Sequence, residues 1–329
     1  MTGMTKSLKV VSTFQFSSAS QELLREAAQS EVICVTRTDE LATQLHDADV
    51  FCSYWVPNDW RTLAPQLRWF QCAGAGVDGL EGTGILDANS EVIVTTAVGI
   101  NGVTIGEYVL GSMLAFNRTW PEMVRLQDRH IWPRSVNWYK LGGRELENQT
   151  LGIVGLGSIG RRVAHLAKAF GMHVLATRRN ATGEEQEQNV DKLYPISHLH
   201  EMLQQCDYVI LSAPLTPETV HMIGEAELRA MRPHAYLVNV GRGRLIDETI
   251  LIRALREGWI GGAGLDVTEE EPLPPDSPLY AMPNVILTPH ISGVSVRYDE
   301  RLTTLFAENL RRLRVGEPLR NLYDPVRGY

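Results

Sequence analysis

Three glycines spaced as G-x-G-x-x-G (Gly155, Gly157 and Gly160 of "GLGSIG") follow the apolar run "LGIV" and open the helical pattern "SIGRRVAHLAKAF". A strand that ends in such a turn and feeds a helix can hold a pyrophosphate. The first glycine allows the tight turn, the second lets backbone N–H groups approach the anion, and the third lets the helix pack on the strand. This pattern predicts dinucleotide binding, with Ser158 and Ile159 at the start of the helix. Arg178 stands eighteen residues beyond Gly160, at the end of the next apolar run, between Thr177 and Arg179. An NAD site usually carries an acid there for the ribose hydroxyls. An acid would repel a 2′-phosphate, whereas a guanidinium can bind it through paired, charge-assisted hydrogen bonds. NADP is therefore the expected cofactor, with NAD as the second choice. The plain structural reading is two solvated arginines at a strand end. Glu184 and Glu185 follow closely and would weaken a phosphate site if their loop folded back.

Three further segments lie at the carboxyl ends of predicted strands, where open α/β sheets bind ligands. "VNVGRGRLID" sets Arg242 between two glycines, so its backbone can approach a cofactor while its side chain reaches outward. "GLDVTEEEPLP" carries Asp266 and the run Glu269, Glu270, Glu271, and "LTPHISG" places His290 after a proline with small residues behind it. A guanidinium can grip a carboxylate, and an imidazole can move a proton near neutral pH. Taken singly, the same segments read as a loop arginine, a solvated acidic run and a capped strand-end histidine.

The elements that must position these groups are legible as alternation. "LKVVST", "VICVT", "ADVFCSY", "LRWFQCA" and "VIVTTA" are short apolar runs, with "SASQELLREAAQ" and "TDELATQLHD" as helical patterns between them. Nearly continuous apolar strands separated by amphipathic helices predict a parallel sheet covered on both faces. A second series, "LGIVG", "HVLAT", "DYVIL", "AYLVN", "GGAGLD" and "VILTP", predicts six strands in two mononucleotide-binding halves. Between the two series, "NGVTIGEYVLGSMLAFNRTW" predicts a long helix that Pro121 interrupts or bends. Its small residues (Gly102, Gly106, Gly111, Ser112, Ala115) suit either a buried linker helix or a subunit contact. "NATGEEQEQNVDKLYP" reads as surface loop, and "VSVRYDERLTTLFAENLRRLRVG" as a closing amphipathic helix.

Composition bounds the rest. A chain of 329 residues is too long for one ordinary core, so two domains are expected. A net charge of -8 argues against nonspecific nucleic-acid binding. No apolar run reaches the ~18 residues of a membrane span, and "MTGMTKSLKVV" lacks the apolar stretch of a signal peptide. The scattered Cys34, Cys52, Cys72 and Cys206 form no C-x-x-C pair and suggest neither zinc nor redox chemistry. They read as reduced thiols of a cytoplasmic protein.

From "GLGSIG" through "VNVGRGRLID" and "GLDVTEEEPLPPDSPLY" to "NVILTPHISG", with "QCAGAGVDGL" at 71–80, the chain resembles the D-isomer-specific 2-hydroxyacid dehydrogenases. Within that family it is most similar to an NADP-type glyoxylate/hydroxypyruvate reductase branch. The resemblance is strong over 151–293 and looser in the first hundred residues. It implies an α/β fold of two doubly wound parallel-sheet domains, with the active site in the cleft between them. A Rossmann cofactor domain (100–290) would be inserted into a flavodoxin-like substrate domain (1–99 and 291–329). A homodimer through the cofactor domain is implied as well.

The family's catalytic arginine falls on Arg242, its glutamate on Glu271 and its histidine on His290. Glu269 and Glu270 are expected to be solvated, and Arg244 fits the arginine position less well. Arg242 would hold the carboxylate of a 2-keto acid and polarise its ketone. His290 would protonate the ketone oxygen as hydride arrives, and Glu271 would keep the imidazole oriented and charged. Backbone N–H groups of Ala75, Gly76 and Val77 would bind the carboxylate from the other domain. Ala213, Pro214 and Thr219 of "SAPLTPET", with Val240, Gly241, Asp266 and Gly293, would line the cofactor. The implied activity is reduction of a small 2-keto acid, such as glyoxylate or hydroxypyruvate, by NADPH.

Formate dehydrogenases of the superfamily carry glutamine at the glutamate position, so Glu271 argues against that branch. A dinucleotide-sensing protein resembling the transcriptional corepressors of this fold is the alternative from another class. A short-chain dehydrogenase is disfavoured, because Tyr139-Lys140 is a dipeptide rather than a spaced pair. Substrate selectivity is expected from Tyr54 and Trp55 of "CSYWVPNDW", which read equally well as an aromatic wall or as packed core residues, and from Trp132 or Trp138 across a dimer interface.

Overall fold

The computed structural model describes residues 7–134 and 138–328, and for Tyr139 and Lys140 the backbone alone. The side chains of the Tyr139-Lys140 dipeptide therefore lie outside the described residues. The chain divides into two compact units, residues 1–101 with 295–329, and residues 102–294. The sequence expectation places these limits near Gly99 and His290.

The first unit contains five parallel strands, β1 (Val10–Ser12), β2 (Val32–Cys34), β3 (Val50–Ser53), β4 (Trp69–Cys72) and β5 (Ile93–Thr95). Their order is β2-β1-β3-β4-β5, the flavodoxin-like winding. Every residue of β3 and β4 is buried, as a sheet covered on both faces requires. The helix Tyr298–Val315 belongs to this unit and buries Leu302, Phe306 and Leu310. Phe306 meets the ring of Trp69 edge-on at 5.2 Å. Trp69 in turn donates its indole N–H to Thr95 Oγ1 at 2.8 Å, so the largest core side chain has its polar atom satisfied.

The second unit contains seven parallel strands rather than six. They are β6 (Thr150–Val154), β7 (His173–Arg178), β8 (Lys192–Pro195), β9 (Tyr208–Leu211), β10 (Tyr236–Asn239), β11 (Gly262–Leu265) and β12 (Val285–Leu287). The order β12-β11-β10-β9-β6-β7-β8 is the doubly wound dinucleotide-binding topology with one strand added beyond the sixth. The extra element relative to the sequence reading is β8, which lies inside the segment read as loop. It pairs only with β7 and buries Leu193 and Tyr194, while Lys192 and Pro195 mark it as an edge. Two apolar residues within a polar segment are too few to show a strand period.

The long helical pattern resolves into two helices, Gly102–Asn117 and Trp120–Asp128. Thr119 takes a left-handed conformation, and Pro121 sits in the first turn of the second helix. The proline therefore starts a helix rather than bending one, because its missing N–H is not needed there. At Gly106 an added Cβ would lie 2.7 Å from Arg162 Cγ, so the small residue serves close packing on the helix Ser158–Ala169. Ser112 shares a 2.8 Å hydrogen bond with the Tyr236 hydroxyl. The buried-helix reading accounts for these positions within a single chain.

Candidate active site

The glycine turn between β6 and the helix Ser158–Ala169 has the shape its spacing predicts. Gly155 sits at φ +96, and a Cβ there would lie 2.6 Å from the Ala213 nitrogen. A Cβ on Gly160 would lie 2.6 Å from the Gly155 carbonyl, whereas one on Gly157 would meet nothing within 4 Å. The turn is thus closed on the protein side and open on the other. No side chain caps the helix at Gly157, and the N–H groups of a helix's first turn have no intrahelical acceptor. Ser158 and Ile159 stand at this opening. Beside it the Thr177 carbonyl accepts from the N–H groups of Gly155 and Leu156, and the Thr177 hydroxyl is buried without a partner. These features fit the pyrophosphate and ribose of a dinucleotide. Just past the end of the neighbouring strand β9, Ala213 packs against Gly155, and the Thr219 hydroxyl accepts from Thr216 N–H at 2.7 Å and donates to the Pro214 carbonyl at 2.8 Å.

Arg178 stands at the end of β7, next to this turn, but its surroundings differ from the sequence expectation. The loop after β7 does fold back, and the acids that reach the guanidinium are Glu185 and Glu187. Arg178 Nη1 donates to Glu187 Oε2 at 3.0 Å, and Nη2 lies 3.7 Å from Glu185. Glu187 also takes two hydrogen bonds from Arg161, at 3.1 and 2.9 Å. Arg161's hydrogen bonds, with Arg178 alongside, hold the Glu187 carboxyl below its usual range. Glu185 accepts from the N–H groups of Thr182 and Gly183, and hydrogen bonds of this kind bring its carboxyl down to about 2. Glu187 went unnoticed in the sequence because nothing in a polar segment marks which of its acids will face an arginine nine residues away.

The second cluster lies at the carboxyl ends of β10, β11 and β12, which are adjacent in the sheet. His290 Nδ1 and Glu271 Oε2 are 2.7 Å apart, and Glu271 Oε1 accepts from Thr268 N–H at 3.2 Å. His290 takes a left-handed φ of 54 and donates its N–H to the Asp266 carbonyl at 2.8 Å. The buried Asp266 carboxylate braces the same loop, accepting from Thr288 Oγ1 at 2.6 Å, Ile291 N–H at 2.9 Å and Ser292 N–H at 3.0 Å. Gly293 follows directly. Asp266 N–H donates to the Asn239 carbonyl at 3.1 Å, and the Asn239 side chain holds both the Arg242 carbonyl (2.8 Å) and Gly241 N–H (3.1 Å). Arg242 Nη1 donates to the Gly241 carbonyl at 2.8 Å, and Val240 and Gly241 are buried behind it. A continuous run of hydrogen bonds therefore ties the Arg242 turn to the His290 loop. Asn239 and Thr288, which make it possible, carry no signal in the sequence beyond lying at strand ends.

One neighbour departs from expectation. Glu269 is not simply solvated, because it pairs with His221 at 2.6 Å and its N–H donates to Glu248 Oε2 at 3.1 Å. Glu270 is exposed, and so is Arg244. Gly243 lies directly beneath the acidic loop, where an added Cβ would fall 1.9 Å from the Thr268 carbonyl oxygen. That clash is with backbone and no rotamer relieves it. Gly243→Ala is expected to destabilise the fold by about 1–3 kcal/mol and to shift the segment carrying Glu271. A lowered melting temperature with reduced turnover would show this, and a variant matching the parent in both would exclude it.

In the first unit, Ala75, Gly76 and Val77 follow β4. Among the described residues no acceptor meets their N–H groups, so three consecutive donors are available to an anion. The turn is held by Gly74, whose carbonyl accepts from Ala97 N–H at 2.9 Å, and by Tyr298, whose hydroxyl donates to the Ala73 carbonyl. Tyr54 is 49% and Trp55 42% exposed, so neither is a packed core residue. A cleft of about 620 Å³ in the second unit, lined by Arg144, Asp207 and His234 among others, contains none of the residues above.

Residues 110–292 match the family model for the NAD binding domain of D-isomer specific 2-hydroxyacid dehydrogenases. The chain belongs to this family. It is 36% identical over 311 residues to a glyoxylate reductase of Korarchaeum cryptofilum, covering 91% of this chain and 87% of the relative. The crystal structure of a D-isomer specific 2-hydroxyacid dehydrogenase family protein from Aeromonas salmonicida superposes with a TM-score of 0.83 at 32% identity, covering 97% and 100% of the two chains. An NADPH-dependent glyoxylate/hydroxypyruvate reductase from Sinorhizobium meliloti, solved with NADP and sulfate, superposes at 0.81 with 27% identity, covering 97% and 99%. This D-2-hydroxyacid dehydrogenase is accordingly an oxidoreductase of 2-hydroxy acids that uses a nicotinamide dinucleotide. Enzymes as relatives do not favour the corepressor-like alternative. Among its described residues no helix is long and apolar enough to cross a membrane, and no group of side chains could hold a metal ion.

Proposed function

We propose that this enzyme reduces a small 2-keto acid of the glyoxylate or hydroxypyruvate class with NADPH, NADH serving as a weaker donor. The observation that carries the reading is the 2.7 Å His290–Glu271 pair, held on the same hydrogen-bonded framework as Arg242. The bound reduced nicotinamide supplies hydride to the keto carbon. With Nδ1 engaged by Glu271, His290 holds at Nε2 the proton given to the ketone oxygen, and water restores it afterwards. The Arg242 guanidinium grips the substrate carboxylate and polarises the ketone in one plane. Within the first unit, the N–H groups of Ala75, Gly76 and Val77 are donors suited to a carboxylate, and the exposed Tyr54 and Trp55 offer a surface suited to a substrate side chain. The glyoxylate reductases among the relatives support the substrate class, and the NADP-bound S. meliloti structure supports the cofactor.

The enzyme works in the cytoplasm as a homodimer through the cofactor unit. The exposure of Trp120, Val124, Ile131, Trp132 and Trp138 within one short stretch of that unit supports the dimer. Turnover of a panel of 2-keto acids with NADPH and NADH tests the whole reading. The parent should favour glyoxylate or hydroxypyruvate and NADPH. Arg178→Ala should lower the NADPH-to-NADH ratio of kcat/KM by about tenfold or more, the worth of one or two charge-assisted hydrogen bonds. A parent that prefers NADH, or a ratio unmoved in the variant, would show that Arg178 serves only the loop acids it touches.

A further inference from the structure

The carboxylate of Glu187 lies between two guanidiniums, one from the helix that follows the glycine turn and one from the end of β7. Arg161 holds it with two hydrogen bonds and Arg178 with one. Its backbone is pinned as well, since Glu187 and Val190 form an isolated β-bridge. Only 19% of its side chain is exposed, so the contact is not a loose surface pair. Thr177 joins this cluster to the glycine turn through its carbonyl. A 2′-phosphate on the ribose would therefore meet Arg178 with its Nη1 donor already engaged and a negative charge beside it.

We propose that Glu187 is a built-in competitor for the 2′-phosphate and the residue that sets how strongly the enzyme distinguishes NADP from NAD. This rests on the reading that Arg178 meets that phosphate. While Glu187 is in place, Arg161 and Arg178 together present one net positive charge, and Glu185 at 3.7 Å reduces it further. NADP binding must turn Arg178 away from Glu187 or share it, whereas NAD, which lacks the phosphate, leaves the ion pair undisturbed. Glu187 thus weakens one cofactor selectively. A purely structural clamp would affect both ligands alike, so the ratio of their affinities separates the two roles.

The test is calorimetric titration of 2′,5′-ADP and 5′-ADP into the full chain, as parent, Glu187→Gln and Arg178→Ala. Glu187→Gln should bind 2′,5′-ADP about threefold to tenfold more tightly, because one repulsion is removed and one guanidinium freed in a partly screened site. Affinity for 5′-ADP should not move. Raising salt should weaken 2′,5′-ADP binding more steeply in this variant than in the parent. Glu187→Asp, which withdraws the carboxylate by one methylene, should move the ratio the same way by less, and it serves if the glutamine variant folds poorly. An unchanged or reduced ratio in both variants, while Arg178→Ala weakens 2′,5′-ADP, overturns the proposal and leaves the phosphate reading standing. If Arg178→Ala leaves 2′,5′-ADP binding unchanged, the phosphate reading falls and the proposal with it.

Discussion

His290→Ala is expected to turn over a 2-keto acid about 100- to 10,000-fold more slowly than the parent, the usual cost of losing a general acid. Cofactor affinity should hardly change, because the glycine turn and Arg178 belong to β6 and β7, while His290 follows β12. The backbone at 290 adopts φ 54, which alanine tolerates less well than histidine at such turns. The Asp266 carboxylate nevertheless holds the loop through Thr288, Ile291 and Ser292, none of which the substitution removes. A melting temperature near the parent's alongside the kinetic loss would separate chemistry from folding. Glu271→Gln keeps a hydrogen-bonding side chain beside the ring but replaces one carboxylate oxygen with an amide N–H that cannot accept from Nδ1, so the ring is held less firmly and an intermediate loss in kcat is expected. Near-parental turnover in His290→Ala would remove it from the mechanism.

Arg242→Lys is expected to lose about tenfold to hundredfold in kcat/KM for the keto acid, although the charge is kept. Lysine has no planar fork and cannot hold a carboxylate and an adjacent ketone together. The backbone of this turn is fastened by Asn239, so the variant should keep its fold and its cofactor affinity. Arg244→Ala should be nearly silent, because Arg244 is exposed and contributes its carbonyl, which accepts from His221 N–H and survives the substitution. Kinetics of the two variants decide between the arginines, and the reverse result would mean that the wrong one had been assigned to the substrate.

Much of the framework was legible because it rests on local rules. The five strands of the first sheet and six of the second appear as apolar runs between helical patterns, and burial on both faces is what makes those runs continuous. The glycine turn is legible for a similar reason, since Gly155 takes a φ of +96 that favours a residue without a Cβ, and a Cβ on Gly160 would strike the Gly155 carbonyl five residues away. The strand β8 was missed because an edge strand needs few apolar residues, and Leu193 and Tyr194 alone show no period. The sequence leaves Pro121 as an interruption or a bend, because the two look alike until Thr119 is seen to turn left-handed; the structure shows the interruption.

The choice of partner for each charge was decided by the tertiary structure. Glu269, Glu270 and Glu271 are chemically identical neighbours, yet the loop sends Glu269 to His221, leaves Glu270 exposed and brings Glu271 to His290. Arg178 occupies the position its spacing from the glycines predicts, but whether it offers a free charge depends on Glu185 and Glu187. Strand and turn formation follow steric and hydrophobic preferences acting over a few residues, so composition and spacing alone determined the sheets and the glycine turn. An ion pair depends on where two irregular backbones place their side chains to within an ångström or so, and that distance leaves no periodic trace in the sequence.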